Sequence, residues 1–334
     1  MNKYIMMCGL PGSGKSWEAN NILNNLKLEN KNNPNYKCEV LSSDKYREIL
    51  LGDENCQNNN QLVFNSLHKD LIYFLEQGYD VIYDATNTTL KSRLKVLKLL
   101  KDEFLFDKIE KTCYIVNTPF FTCIDRDKNR NRQVGHHIVK KFLHSFQCPQ
   151  YFEGWDYIVI NELPENNWCD YKSINQTLEE MNGFDQSNPH HIYSLGEHCR
   201  KVFDNFYSQG DEVRAQAGLF HDIGKLHTQH FDEYGVAHYY NHDSVGAYQI
   251  LCHLEFLPSS LNINEKLDVI FYINYHMRAH KDFRNFKAYK KYSEIFGKYR
   301  LDRLIEFADA DIEASGTKDC HEEVMKKIEE MKNK

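Results

Sequence analysis

Two clusters of residues in this chain have the types and spacing for phosphate chemistry. The run Gly9-Leu10-Pro11-Gly12-Ser13-Gly14-Lys15-Ser16 fits G-x-x-x-x-G-K-[ST]. Between a strand and a helix, such a run turns backbone N–H groups toward phosphate oxygens and adds the partial positive charge of a helix N-terminus. Lys15 then neutralises the β- and γ-phosphates of a nucleotide, and the Ser16 hydroxyl holds Mg²⁺. Far downstream, His221-Asp222 lies in Gly218-Leu219-Phe220-His221-Asp222-Ile223-Gly224-Lys225. Imidazole and carboxylate without cysteine suit a divalent first-row metal with open water positions. Such an ion makes hydroxide available near neutral pH and clamps phosphate oxygens.

The elements that must position these groups differ between the two halves. Short β-rich apolar runs at 4–8, 38–42, 81–83, 111–116 and 157–160 alternate with helical patterns at 16–28, 44–51, 62–77 and 89–104. That alternation predicts βαβ units and a parallel sheet flanked by helices. Asn-rich stretches at 29–35 and 55–60 are expected as surface loops. At 162–167 and 182–189 the pattern dissolves into Asn, Pro, Gly and Asp. The expected organisation is therefore a first domain over 1–166, a linker over 167–188 with a short helix at 174–181, and a second domain over 189–334. After Pro189 the strand signal disappears, and 195–206, 213–226, 244–256, 264–274 and 302–314 read as helices. The second domain is expected to be all-α.

Composition supports two packed domains. The chain has 334 residues, of which 41% are apolar and 13% aromatic, enough to fill two cores and to exclude global disorder. Its ten cysteines include no C-x-x-C pair, which argues against a zinc ribbon or disulfide framework and for reduced thiols in a cytoplasmic setting. Cys8, Cys113 and Cys123 fall in apolar surroundings and read as small packed hydrophobes. Residues 1–5 run straight into a strand pattern, so no signal peptide is expected, and no apolar run approaches bilayer-spanning length. A soluble protein without membrane contact is the expectation.

The net charge of −7 does not advertise a polyanionic partner. Local runs do. Over 125–141 six basic residues (Arg126, Lys128, Arg130, Arg132, Lys140, Lys141) meet two acids, and over 278–303 nine meet three. Such runs serve equally as solvated helix faces or as a docking surface for phosphates.

Beyond the glycine-rich run, the second strand pattern leads into Ser42-Ser43-Asp44-Lys45-Tyr46-Arg47 and the third into Asp84-Ala85-Thr86-Asn87. Further on comes Arg126-Asp127-Lys128-Asn129-Arg130. With these residues, the stretch from about 3 to 160 resembles the polynucleotide kinase branch of P-loop phosphotransferases. The resemblance implies that Asp44 accepts the proton of an acceptor hydroxyl and that Arg47 grips the acceptor's phosphate. An ordinary aspartate, with a pKa of about 4, stays ionised to orient that hydroxyl. Capping of the following helix is a second role open to Asp44. Asp84 would support Mg²⁺ through water or help position the acceptor. Arg130 would stabilise charge on the transferring phosphoryl group from a lid, with Arg126 the alternate and a nucleotide contact. Val134-Gly135 stands where the family has Val-Pro. Gly9, Gly12, Ser13, Gly14, Lys15 and Ser16 would cradle ATP, or another NTP, with Mg²⁺.

Around His221-Asp222, the residues Glu197-His198, His242, His276 and Ala308-Asp309-Ala310-Asp311 complete a second pattern. Over 189–315 it resembles the HD phosphohydrolase superfamily, an all-helical fold. The resemblance implies His198, His221, Asp222 and one late Asp as ligands of a divalent transition metal such as Mn²⁺. Aligning 304–315 with the family's leucine-rich helix favours Asp311 over Asp309. His242 and His276 would complete a second metal site or touch the substrate phosphate. Lys225, one turn past the dyad, would bind phosphate. His190, His191, His227, His230 and His253 read as structural or surface residues.

The combination is similar to bacterial and phage enzymes that heal broken RNA ends, in which a P-loop kinase is fused to an HD phosphoesterase. This resemblance implies transfer of an NTP γ-phosphate to a 5′-hydroxyl end. It also implies removal of a 3′-phosphate or opening of a 2′,3′-cyclic phosphate, with RNA favoured over DNA and a separate ligase sealing the ends. Two alternatives stand beside it. Both sites could act on small nucleotides or nucleosides, as the acidic net charge suggests. Or the nucleotide site could be an ATP-dependent switch gating the HD half, which leaves Asp44 and Arg47 without a task.

Overall fold

The computed structural model describes residues 1–54, 56, 58–130, 132–161, 172–189, 191–281 and 286–316. Residues 162–171 around the start of the expected linker, His190, residues 282–285 of the second basic run and the stretch beyond 316 lie outside the described residues. The chain divides into two units, Met1–Leu143 with Pro149–Cys169, and His144–Cys148 with Asp170–Lys334.

In the first unit two central strands are short and buried almost throughout, as strands covered on both faces must be. β1 (Asn2–Cys8) and β3 (Asp80–Asp84) bury nearly every side chain. With β2 (Cys38–Ser42), β4 (Ile109–Val116) and β5 (Tyr157–Asn161) they form a five-stranded sheet of order β2-β3-β1-β4-β5. Every pairing is parallel. The helices are α1 (Lys15–Glu29), α2 (Ser43–Leu51), α3 (Asn60–Glu76), α4 (Leu90–Asp102), α5 (Phe120–Asn129) and α6 (His136–Leu143). Neighbours of β1 on its two sides connect in opposite directions, so the C-terminal end of β1 is the crevice where such sheets bind ligands. That crevice is braced from below. Buried Arg93 donates twice to Glu153 at 2.7 Å and once to the Asn87 carbonyl at 3.0 Å. Glu153 also accepts from Trp155 Nε1 at 3.0 Å, so the pair's polar atoms are largely satisfied.

The second unit contains α7 (Ile174–Gly183), α8 (Leu195–Ser208), α9 (Glu212–Phe220), α10 (Lys225–Thr228), α11 (His242–Cys252), α12 (Ile263–Lys281), α13 (Phe286–Phe296) and α14 (Lys298–Ala314). α7 and α8 each open with a capping box, Ser173 with Gln176 and Ser194 with Glu197. Stacked Phe206, Phe307 and Tyr272 join α8, α14 and α12, with ring centroids 5.6 and 5.5 Å apart. The segment His144–Cys148 belongs here: Phe146 packs edge-on against Tyr248 at 4.9 Å, and Asn274 donates to the Phe146 carbonyl and accepts from the Cys148 N–H. Helix α7, inside the expected linker, packs on α8 at Gly196, where a Cβ would lie 2.1 Å from the Asn182 side chain.

Two expectations for this unit are corrected. The helix expected over 213–226 stops at Phe220, and His221–Gly224 forms a turn closed by short-range bonds such as Lys225 N–H to the Asp222 carbonyl at 2.9 Å. Tertiary contact sets the break, because Gly224 meets α11 so closely that a Cβ would lie 2.1 Å from the His242 carbonyl. The strand signal also does not vanish after Pro189: β6 (Gln229–Phe231) and β7 (Ala237–Tyr239) form an antiparallel hairpin. Three residues per strand are too few for alternation to register. The turn is built by Asp232 accepting from Tyr234 N–H and Val236 N–H, with Gly235 at φ 78°.

Candidate functional site

In the first unit the glycine-rich loop leaves β1 at Cys8 and enters α1 at Lys15. Gly9 N–H donates to the Thr86 carbonyl at 3.1 Å, tying the loop to the end of β3. Gly12 has φ 81°, and a Cβ there would lie 2.3 Å from the Cys123 carbonyl, so no other residue fits. Ser16 Oγ donates to Asp84 Oδ2 at 2.7 Å, joining the first turn of α1 to the tip of β3. Lys15 is buried, with Nζ donating to the Leu10 carbonyl at 2.8 Å across its own loop. Burial pushes its pKa down, and Asp84 opposes that shift. Ser13 Oγ is buried without a hydrogen-bond partner. An orphaned hydroxyl, a buried ammonium and a hydroxyl–carboxylate pair fit nucleotide phosphate and its Mg²⁺.

On the neighbouring strand, Ser42 pairs in register with Asp84, which brings the start of α2 beside this loop. Asp44 lies in the first turn of α2; Ser42 is the N-cap residue, and no side chain caps this helix. Arg47 Nη1 donates to Asp44 Oδ1 at 2.7 Å and Arg47 Nη2 to Asn60 Oδ1 at 3.2 Å. Arg47 is buried, and its Nε has no partner. A third residue joins them: Arg132 forks onto both carboxylate oxygens of Asp44 and donates to the Glu54 carbonyl at 3.0 Å. Sequence reasoning saw Arg132 only as part of a basic run; no spacing rule tied it to Asp44.

The two arginines expected on a lid make different contacts. Arg126 Nη1 donates to the Ser13 carbonyl at 3.0 Å, on the glycine-rich loop itself. Arg130 pairs with Asp127 instead, and its Nε is buried without a partner. Asp127 also accepts from Val134 N–H at 3.1 Å and Gly135 N–H at 2.8 Å. Burial alone would raise the Asp127 carboxyl, but these N–H groups and Arg130 hold it below its usual range. Val134-Gly135 is thus the chain's own anchor for the stretch after α5.

In the second unit, α8, the turn after α9, α11, α12 and α14 each contribute to one buried cluster. His198, His221 and Asp311 form one group of ligand atoms and Asp222, His242 and His276 another, each within 4.8 Å. Asp222 connects them. Its Oδ2 lies 3.5 Å from His198 Nε2 and 3.3 Å from His221 Nε2, while its Oδ1 lies 3.0 Å from His242 Nε2 and 3.6 Å from His276 Nε2. Nε2 atoms of His198 and His221 are 3.1 Å apart, as are those of His242 and His276. Ligands bonded to one ion at about 2.0–2.2 Å stand about 3 Å from each other, the same spacing.

The donor set fits two cations. His221, His242 and His276 donate from Nδ1 to the carbonyls of Gly218, Tyr239 and Ile273 at 2.9, 2.6 and 2.8 Å, which turns the Nε2 of these three rings inward. Burial would lower the His198 imidazole, but Asp222 and Asp311 outweigh it and raise it to about 9. His221 is likewise raised, against burial, by Asp222 and Asp311. Burial alone would raise Asp222; Lys225 and His221 hold it well below the carboxylate range. The cluster therefore draws in positive charge. Asp311 belongs to it, and Asp309 does not.

Lys225 is buried, not a surface lysine. Its Nζ lies 2.7 Å from Asp222 Oδ2, 2.8 Å from Gln186 Oε1 and 3.2 Å from His191 Nε2. His191, read from sequence as structural or surface, packs its ring edge-on against His198 at 5.4 Å, and burial beside Lys225 lowers it to about 3. In the second basic run, Arg278 donates to Tyr292, Arg300 pairs with Asp268 and Arg303 with Asp211, all inside the unit.

Residues 5–149 match the AAA domain family and residues 191–312 the HD domain family. The chain thus joins a P-loop kinase-like α/β domain, built on a five-stranded parallel sheet, to a helical region that matches the HD domain. No curated protein matches it. One solved structure, the crystal structure of APE1195, is 20% identical over 47% of this chain and 84% of its own, with a TM-score of 0.35, too low to bear on function. Among the described residues, no helix is long and apolar enough to cross a membrane.

Proposed function

We propose that this chain prepares broken nucleic-acid ends, phosphorylating a 5′-hydroxyl in its first unit and hydrolysing a terminal phosphate ester in its second. The observation that carries the first half is Arg47. It is a buried guanidinium with an unpartnered Nε beside Asp44, on the acceptor side of a nucleotide loop. A buried, preorganised arginine there is an anion receptor, and an acceptor without phosphate has no use for it.

The glycine-rich loop and Lys15 bind the nucleotide phosphates, with Ser16 and Asp84 the residues to hold Mg²⁺. Asp44 orients the 5′-hydroxyl. As the bond from the 5′-oxygen to the γ-phosphorus forms and the bond to the β–γ bridging oxygen breaks, the hydroxyl proton passes to Asp44. Arg126, bonded to the Ser13 carbonyl, would contact the nucleotide, and Arg130 would meet charge on the transferring group from the lid.

In the HD unit, His198, His221 and Asp311, and His242, His276 and Asp222, are the residues to hold divalent transition ions such as Mn²⁺. Bound cations would lower the pKa of water and neutralise phosphate oxygens. Lys225 holds the Asp222 carboxylate in place. The substrate class is a 3′-phosphate or a 2′,3′-cyclic phosphate; the latter exists only on RNA, which favours RNA over DNA. A separate ligase would join the resulting ends.

The test supplies labelled ATP and Mg²⁺ with either a 5′-hydroxyl oligonucleotide or a nucleoside, for the native protein and Asp44→Ala. Label in the oligonucleotide, lost in the variant, is expected. Label in the nucleoside alone sinks end repair, and label in neither sinks the kinase assignment.

A further inference from the structure

Asp44 is the carboxylate that end phosphorylation needs free, yet both its oxygens are engaged. Arg47 Nη1 takes Oδ1 at 2.7 Å. Arg132 places Nη1 on Oδ2 and Nη2 on Oδ1, the latter at 3.2 Å, in the fork geometry that a guanidinium makes with a carboxylate. The Asp44 side chain is 40% exposed, but three N–H contacts take three of the about four acceptor directions a carboxylate offers, so an incoming hydroxyl finds one. Arg132 is further held by the Glu54 carbonyl at 3.0 Å and the Glu54 carboxylate at 3.6 Å. It lies between α5 and α6, in a stretch whose far end Asp127 pins through Val134 and Gly135.

We infer that Arg132 is a phosphate-operated latch on Asp44 and sets the acceptor specificity of the kinase unit. This rests on the reading of that unit as a 5′-hydroxyl kinase. A phosphodiester presents two charged oxygens in the same fork-accepting geometry as a carboxylate. An acceptor carrying a phosphate beside its 5′-terminal nucleoside can therefore draw Arg132 off Asp44 in an exchange of like for like. That uncovers the proton acceptor only when a phosphate-bearing end is present. A plain nucleoside gives the guanidinium nowhere to go, and both oxygens of Asp44 stay paired. Arg47, held by Asn60 as well as Asp44, stays as the fixed half of the receptor. Arg132 is thus a positioning residue, acting through Asp44 and on the acceptor phosphate, not on the transferring group.

The experiment compares kcat/KM for a 5′-hydroxyl oligonucleotide and for the matching nucleoside in the native protein, Arg132→Gln and Arg132→Lys. The native protein should favour the oligonucleotide. Arg132→Gln should cut that preference by roughly tenfold to a hundredfold, the worth of one charge-assisted pair. Part of the change should be a gain in kcat on the nucleoside. Arg132→Lys keeps the charge without the fork and should restore part of the preference. A preference that Arg132→Gln leaves intact, or equal losses on both acceptors, overturns the latch while the kinase reading stands. Absence of transfer by the native protein to either acceptor overturns the kinase reading itself. An unchanged KM for ATP in each variant reports that the first unit has folded.

Discussion

Lys225 Nζ sits 2.7 Å from Asp222 Oδ2, inside the protein, while the other oxygen of the same carboxylate faces His242 at 3.0 Å. One side chain thereby serves both groups of ligands, with a cation of the protein's own holding it in register. Two divalent ions per chain are the expected stoichiometry by calorimetric titration with Mn²⁺. Asp222→Ala should abolish metal-dependent phosphate release and leave ATP-dependent labelling of a 5′-hydroxyl intact. His242→Ala should lower the stoichiometry to one. A single site in the native protein contradicts the shared carboxylate.

Gly224 lets the dyad turn approach α11, since a Cβ on it would lie 2.1 Å from the His242 carbonyl. Gly224→Ala should push His242 away from Asp222 and weaken Mn²⁺ binding at least tenfold, a loss of about 1.4 kcal/mol. The same titration checks it, and unchanged affinity would mean the turn can shift without disturbing the ligands.

In the first unit, Asp44→Asn keeps the shape of the side chain and removes its ability to take a proton. Oligonucleotide phosphorylation should drop by about a hundredfold to ten-thousandfold in kcat, with nucleotide affinity little altered. Steady-state kinetics with ATP varied separates the two effects.

Arg126 bonds the Ser13 carbonyl on the nucleotide loop, whereas Arg130 bonds Asp127. Arg126→Ala should therefore raise KM for ATP by roughly tenfold, the loss of one charge-assisted contact. Arg130→Ala should leave KM for ATP near the native value. An equal rise in both variants would place Arg130 on the nucleotide as well.

Asp127 titrates below its usual range in the folded protein, because the Val134 and Gly135 N–H groups and Arg130 outweigh the burial that would raise it. A depressed carboxylate stabilises the fold above its unfolded pKa of about 4, and that stabilisation is lost as pH falls through the folded value. Thermal melting at pH 7 and at pH 3 should show a smaller loss for Asp127→Asn than for the native protein, since the variant lacks the titrating group. Equal losses would exclude Asp127 from the acid response.

Contributions from sequence and from tertiary structure separate along physical lines. Where chemistry sits on consecutive residues, chain geometry alone brings the atoms together. Residues 9–16 must form a loop before a helix, and strand, turn and helix patterning placed Asp44 and Arg47 one turn apart at the head of α2. His221-Asp222 was legible as a dyad for the same reason, though not as a turn, because the break after Phe220 depends on how closely Gly224 meets α11. The hairpin at Gln229–Tyr239 escaped because three-residue strands carry no periodic signal. Tertiary structure alone decided that Arg132 joins Asp44 and that Asp222 reaches both ligand groups. Such partners are chosen by packing, which has no period along the sequence. A basic run could thus be seen in the sequence, while the arginine within it that covers Asp44 could not.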